Sequence, residues 1–560
     1  MIRRCLAACS VPIALAALPI ALAGQAAVAP ALEPKVDAVF AKWTASTPGC
    51  AVGVSTGGKR ALVKGYGMAD LEHDVKITPD TIFEAGSVSK QFTATAVLLL
   101  AREGKLSLDD PVRKYIPELP DYATMPAAAG QGDSAPAGNA KTTGGAGPLT
   151  IRQMLNHTSG LRDWGSVAGI AGWPRTTRVH THAHVLDIVS RQRATNFTPG
   201  TQWSYSNTGF NLAAIIVSRV SGMPFAEFTR TRVFEPAGMT HTSWRDDYTR
   251  IVKGRAMAYS LSRASDSEPR GQKDDGFHTL MPFENVYGNG GLLTTVGDLL
   301  KWNEHFASPV VGDQSFVAEQ QKPGRFNDGR AHGYALGLFV GSYKGLREVY
   351  HSGSTAGYQA FLTRFPDERV SVAVLCNSSS AQATQYAHAV ADVYLADRIK
   401  PAATDASPTA AQRQQAAGMY RSTMTGLSIV VGAERGERDP LRGRRWSFDG
   451  RRATATDEYG TVETYERVDP AKPTAEQLQA LAGVYNSDEA ETTFTAAVER
   501  GALVLKQRPD TTIALAPLYA DAFRAGSLGT VIFRRDASGR VNGFSVVQDR
   551  VWDLGFQRMR

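Results

Sequence analysis

Cysteine is nearly absent. The chain of 560 residues holds four, and two of them, Cys5 and Cys9, fall in its first ten positions. Cys50 and Cys376 each sit in a strand-like run, GCAVGVS and VSVAVLCN. Two cysteines in so long a chain are no disulfide framework; a single bridge and two buried thiols fit equally. Beyond the leader no apolar run reaches the ~18 residues of a membrane span. Charge of one sign is also scarce. A net charge of +7, with no basic run beyond the small knot RGRRW at Arg442 to Trp446, excludes a nucleic-acid partner. Phosphate-loop spacing is missing from the glycine-rich GNGG and GSYKG stretches. His180, His182 and His184 alternate as a metal cue would, but Thr181 before HAHVLDIVSRQ reads as the cap of a helix. No later His/Asp set completes a site, so neither metal nor cofactor is expected.

What is present begins with two arginines, an apolar run and Ala21-Leu22-Ala23. This is the form of a secretory signal peptide, residues 1–23, and it makes the mature protein periplasmic or secreted. CAVGVSTGGKRALVKGYGMAD reads as a hairpin about a Gly-Gly turn. Residues 126–147, rich in Ala, Gly and Pro, read as a flexible insertion. Helical periodicity recurs at His184–Arg193, Gly209–Val220, Phe225–Val233, Val296–His305 and Ala381–Ile399. Strand patterns return in YALGLFV, REVYHSG, YQAFLTRFP and RVSVAVLCN. Strands at both ends with helices between imply an α+β unit, residues 30–400, whose sheet joins both ends. After a linker-like KPAATDASPTAA come two small β units, 411–470 and 476–560. AAGMYRS and LAGVYNS mark them as a degenerate duplication, with Tyr420 and Tyr485 as core residues.

The chemistry starts at FEAGSVSKQFTATAVLLLA. The tail after Lys90 is apolar nearly all round, so the helix should be buried. Ser87 and Lys90 are three apart and share one helix face. Burial lowers a lysine pKa and makes a general base of it. A serine at a helix start also lies among unpaired N–H groups that favour a developing negative charge. Tyr205-Ser206-Asn207 follows a Pro-Gly turn and supplies a phenol for proton relay and an amide for a substrate carbonyl. His351-Ser352-Gly353-Ser354 closes a strand, with a glycine where a substrate backbone could approach. If Ser87 is not the nucleophile, Ser89 and Ser206 come next.

Ser87-Val88-Ser89-Lys90, Tyr205-Ser206-Asn207 and His351-Ser352-Gly353, in this order, resemble the three motifs of the penicillin-recognising serine hydrolases. The Tyr-x-Asn form is similar to the class C β-lactamase branch with its DD-peptidases, D-aminopeptidases and esterases. PGCAVGV, LNHTSGL, PGTQWSYSN and GNGGLLTTVGDLLKW add to the likeness, which covers residues 32–400. The two β units resemble the C-terminal barrels of D-aminopeptidases. The resemblance implies an α+β fold: a β-lactamase-like antiparallel sheet flanked by helices, a helical subdomain, then two small antiparallel β-barrel-like units. It implies that the first and last strands of the sheet pair, bringing Cys50 and Cys376 together.

By the same resemblance Ser87 is the nucleophile, Lys90 and Tyr205 share the work of base and acid, and Asn207 orients the substrate. The N–H groups of Ser87 and Ser354 form the oxyanion hole. His351 stands where class C β-lactamases have lysine; with a pKa near 6.5 it would hold anionic substrates less well as pH rises. The implied function is an exported serine hydrolase acting on a small-molecule or peptide substrate with an acyl group, foremost a D-amino-acid-specific peptidase. The alternatives are a carboxylesterase, a weak class C-like β-lactamase and a slowly acylating penicillin-binding sensor.

Overall fold

A computed structural model describes residues 32–123, 147–175, 177–261, 276–400, 408–432, 439–441, 443–457 and 460–560. The leader and residues 126–146 of the low-complexity stretch lie outside the described residues.

The central sheet draws on both ends of its domain. β1 (Cys50–Thr56) turns through Gly57-Gly58 into β2 (Lys59–Tyr66). β3 (Phe339–Tyr343), β4 (Leu346–Thr355), β5 (Tyr358–Phe365) and β6 (Val370–Cys376) arrive much later in the chain. The order is β3-β4-β5-β6-β1-β2, antiparallel throughout. The start of β1 meets the end of β6, so Cys50 faces Cys376, and a disulfide joins them.

Seven helices cover this sheet or build the site: α1 (Glu33–Phe40), α2 (Lys90–Arg102), α3 (Trp164–Ile170), α4 (His182–Arg191), α5 (Asn207–Ser221), α6 (Val296–His305) and α7 (Ala383–Tyr394). β1 is buried on both faces because helices cover both. Val52 and Val54 join Phe40 of α1 and Val390 of α7 in one core; Ala51 joins Val296 and Leu299 of α6 in the other. Each such aliphatic side chain removed from water contributes roughly 1.5–3 kcal/mol. The second core also holds α2, whose residues Lys90 to Leu100 are all buried. That enclosure takes Lys90 out of water along with its apolar neighbours.

Two segments differ from their sequence patterns. YALGLFV is strand only from Phe339. Gly337 before it has φ +76°, and its backbone presses on α2 so closely that a Cβ there would lie 2.7 Å from the Lys90 carbonyl. The helix expected to Ile399 stops at Tyr394.

Beyond residue 407 the chain forms a five-stranded sheet between Gly418 and Val468 and a nine-stranded one between Gly483 and Arg558. The edge strands of the larger sheet, Thr511–Ala514 and Ala516–Pro517, are separated in sequence by Leu515 alone, so the sheet curls almost into a barrel. The first turns of the two units repeat each other. Thr409 and Thr474 make capping boxes with Gln412 and Gln477. Tyr420 donates to the Ala416 carbonyl at 3.0 Å, and Tyr485 to that of Leu481 at 2.7 Å. Phe494, Phe533, Phe544 and Phe556 fill the barrel, in one core with Trp164 and Ile170 of α3. The barrel is thus packed on the helical part of the first domain.

Candidate active site

The approach to Ser87 is clamped. Phe83–Glu84 pairs with Leu292–Thr294, and the buried Glu84 carboxylate takes two hydrogen bonds from the buried Arg245 guanidinium, at 2.8 and 3.0 Å. The chain then makes a tight helical turn, Gly86–Ser89, into α2. Gly86 has φ +51°, and a Cβ on it would lie 2.7 Å from the Ser354 nitrogen. A Cβ on Gly353 would lie 2.0 Å from the Ala85 carbonyl oxygen and 3.1 Å from the Ser87 nitrogen. Glycine on both sides lets β4 lie against the turn, which brings the backbones of Ser87 and Ser354 to one contact. Two N–H groups so placed are the material of an oxyanion hole.

Lys90 Nζ lies 3.0 Å from Ser87 Oγ, 2.9 Å from Asn207 Oδ1 and 2.7 Å from the Asn289 carbonyl oxygen. Burial pushes its pKa well below the usual lysine value, and the positive charge of Arg550 pushes the same way. A neutral amine has two N–H groups and one lone pair. Asn207 Oδ1 and the Asn289 carbonyl can only accept, so they take both N–H groups. In the neutral form the lone pair is what remains to take the Ser87 hydroxyl proton; in the ammonium form the third N–H donates to Ser87 Oγ.

Tyr205 lies across the amine, with Nζ 4.8 Å from its ring centre. Burial raises its pKa against the opposing influence of Ser87, so the phenol keeps its proton. Asn207 opens α5, and its backbone N–H donates to Asp163 Oδ2 at 2.8 Å. The other oxygen of Asp163 caps α3 through the Ser166 N–H at 3.1 Å. One buried carboxylate thereby satisfies donors at two helix starts. With Asn207 Oδ1 committed to Lys90, its NH2 remains for a substrate carbonyl.

His351 corrects an expectation. It lies inside β4, buried, with Nδ1 2.6 Å from the Ser352 carbonyl and Nε2 2.9 Å from Tyr334 Oη. The carbonyl requires a proton on Nδ1, so Nε2 accepts from Tyr334. Burial, and then the charge of Lys90, push its pKa down to about 3. The imidazole is therefore neutral near neutral pH and holds no carboxylate by charge there, in place of the titration near 6.5 expected of an unperturbed ring. His157, of LNHTSGL, is a second buried neutral imidazole. It accepts from the Ser206 N–H at 3.2 Å and packs 4.2 Å from the Tyr205 ring and 4.5 Å from that of Tyr334.

The other expected groups fall elsewhere. Ser89 Oγ donates to the Gly86 carbonyl and accepts from the Leu292 N–H, which removes it as a nucleophile. Ser206 Oγ is buried without a partner. His180 and His182 bond to the carbonyls of Trp173 and Tyr287, and His184 completes the Thr181 capping box at the start of α4. Among the described residues no group of three or more His, Cys, Asp or Glu could hold a metal ion, and no single helix is long and apolar enough to cross a membrane.

The Beta-lactamase family model matches residues 32–396, well over half of the chain. The chain belongs to the beta-lactamase family of penicillin-recognising serine hydrolases. Among similar proteins, penicillin-binding protein 4* of Bacillus subtilis is 28% identical over 336 residues, 58% of this chain and 66% of that protein. A D-aminopeptidase of Gluconobacter oxydans is 28% identical over 402 residues, 71% of this chain and 67% of that one. The chain spans about two thirds of the length of these two relatives, and 60% of the length of protein flp of Staphylococcus aureus, which is 28% identical over 336 residues, 60% of this chain. The solved structure of the octameric penicillin-binding protein homologue from Pyrococcus abyssi shares the fold, with a TM-score of 0.52 and 22% identity over 86% of this chain and 99% of that one.

In this beta-lactamase family member Ser87, Tyr205, Asn207, His351, Gly353 and Ser354 line one open cavity of about 900 Å³. Lys90 lies beneath it, hydrogen-bonded to Ser87 and Asn207. Three parts of the site have no signal of their own in the sequence. Asn289 acts on Lys90 through a backbone carbonyl, from within GNGG. Tyr334 reaches His351 from a segment that reads as strand. Arg550, on the barrel, lines the same cavity.

Proposed function

We propose that the chain is a serine hydrolase that cleaves amide or ester bonds through an acyl-enzyme on Ser87, and that its preferred substrates are D-amino-acid peptides or amides. The observation that carries this reading is the buried Lys90 Nζ, held by Asn207 Oδ1 and the Asn289 carbonyl within 3.0 Å of Ser87 Oγ. Lys90 takes the hydroxyl proton as Ser87 Oγ attacks the carbonyl carbon. The oxyanion forms beside the N–H groups of Ser87 and Ser354. Tyr205, protonated and in the same cavity as Ser87, passes a proton to the leaving group, regained through Lys90. Water then enters by the same route in reverse and releases the acid. Asn207 holds the substrate carbonyl by its free NH2. Gly353 lets β4 lie against the Ala85–Ser87 turn, which sets the Ser354 backbone beside the nucleophile. His351 acts as a neutral wall of the site, fixed by Tyr334.

Likeness to a D-aminopeptidase supports the D-amino-acid preference. The leader-like first 23 residues support export to the periplasm or beyond, and the Cys50–Cys376 disulfide fits an oxidising compartment. The test is a kinetic panel of N-succinyl-D-Ala and N-succinyl-L-Ala p-nitroanilides, p-nitrophenyl esters and nitrocefin on wild type and Ser87→Ala. Faster turnover of the D- than the L-anilide supports the reading. Esters turned over with no anilide cleavage would make it a carboxylesterase, and a stable β-lactam adduct without turnover would make it a penicillin-binding sensor.

A further inference from the structure

The nine-stranded barrel contributes to the cavity. Two of its strands, Val541–Gln548 and Val551–Arg558, are joined by Asp549 and Arg550 alone. This hairpin tip docks on the loop that leads to Tyr205. The Arg550 carbonyl accepts from Asn196 Nδ2 at 3.0 Å and from the Asp163 N–H at 3.3 Å. Trp552 N–H donates to Asn196 Oδ1 at 3.0 Å, and its ring lies 4.9 Å from that of Phe197. Docking therefore uses the Arg550 backbone and leaves its side chain out of the contact.

That side chain turns into the cavity. The guanidinium lies 4.7 Å from the Tyr205 ring centre and has no ion pair or hydrogen bond to any described residue. A stacked guanidinium keeps its N–H edge free for a carboxylate. Arg175 also lines the cavity, but Glu284 neutralises it. No Asp or Glu lines the cavity among the described residues. A free ammonium on a substrate would thus meet an uncompensated positive charge and no acid.

We propose that Arg550 is a specificity-determining residue supplied by the barrel, which selects acyl substrates carrying a carboxylate over those carrying a free amine. The assignment rests on the serine-hydrolase reading of the cavity. It narrows the D-amino-acid substrates to peptides with a free carboxylate rather than a free N-terminus.

The test compares kcat/KM for esters of one shape and three charges: mono-p-nitrophenyl succinate, p-nitrophenyl butyrate and p-nitrophenyl γ-aminobutyrate. A second pair, m-acetoxybenzoate and phenyl acetate, puts the carboxylate on the leaving half. Wild type should favour the anionic ester of at least one series. Arg550→Gln should lower that anionic-to-neutral ratio about 10- to 100-fold, the worth of one charge-assisted hydrogen bond. Arg550→Lys should retain most of the ratio, and Arg550→Glu should shift preference to the amine ester. Equal losses on all esters would overturn the proposal and leave Arg550 a structural support for Tyr205. Turnover that survives Ser87→Ala would overturn the reading of the cavity as the active site, and this assignment with it.

Discussion

Lys90 Nζ lies 2.7 Å from the backbone carbonyl oxygen of Asn289, an acceptor that no side-chain substitution removes. Together with Asn207 Oδ1 it fixes which way the amine faces. Activity on a neutral ester should then need the unprotonated amine. As pH falls through the Lys90 pKa, the lone pair is lost and kcat/KM falls. Burial places that pKa well below the free-lysine value of about 10.4. A profile recorded between about pH 4 and 10 should show this acid limb, and Tyr205→Phe should lower the plateau about 10²-fold without moving the limb. A limb at the free-lysine value would show that Lys90 is not a buried base.

Ser87→Ala should lower turnover at least 10³-fold, in the range found when the nucleophile of a hydrolase is removed. It should also abolish covalent labelling by a fluorophosphonate. Mass spectrometry of the labelled wild-type peptide should find the adduct on Ser87. An adduct on Ser206 in the variant would relocate the nucleophile, since Ser206 Oγ is buried without a partner.

Acid should destabilise the fold before the carboxylates titrate. His305 and His332 are buried and held down to about 4, and His351 to about 3. The unfolded chain takes up protons at these positions below about 6.5 that the folded chain refuses. Their contribution is complete above pH 6.5 and is lost as pH falls from there toward 4. By about pH 4.5 each costs on the order of 1–3 kcal/mol. Urea midpoints should fall steadily over this window, and less so in His305→Gln. Equal midpoints at neutral pH and at pH 4.5 would show that these imidazoles are hydrated.

The Cys50–Cys376 disulfide closes a loop spanning 326 residues. Cys50→Ala/Cys376→Ala should lose about 2–5 kcal/mol of stability, read as a lower urea midpoint. Since the pair lies where the start of β1 meets the end of β6 and not in the cavity, the loss should fall on stability and spare the kinetics of the remaining folded enzyme. Coincident unfolding curves with and without reductant would show that the bond does not persist in solution.

The parts of the site that could be read from the sequence are those that local geometry decides. Ser87 and Lys90 lie three apart at the start of an apolar helix, so their meeting follows from helical period and burial. Thr181 before HAHVLD identified a capped helix, and the alternating histidines then had no shared face for a metal. The antiparallel pairing of β1 with β6 followed from the family likeness. The remainder depends on contacts made across the fold. A histidine in HSG looks titratable until Tyr334 and the Ser352 carbonyl enclose it. YALGLFV has the apolar content of a strand, but Gly337 must press against α2. Asn289 contributes an atom that every residue has. Arg550 occupies a two-residue turn whose neighbours in sequence say nothing of Tyr205.

The position of β1 has a further consequence, for the order of folding. One neighbour, β2, follows it directly, so that hairpin can form early and alone. The other, β6, comes only after the whole helical part of the domain, and no shorter connection offers β1 a second partner. Contacts of such sequence separation carry a large loop-closure cost and form late. The strand bearing Ser352, Gly353 and Ser354 belongs to the same sheet, three places from β1. Gly353 and Ser354 are therefore set against the Ser87 turn only when the domain closes on itself.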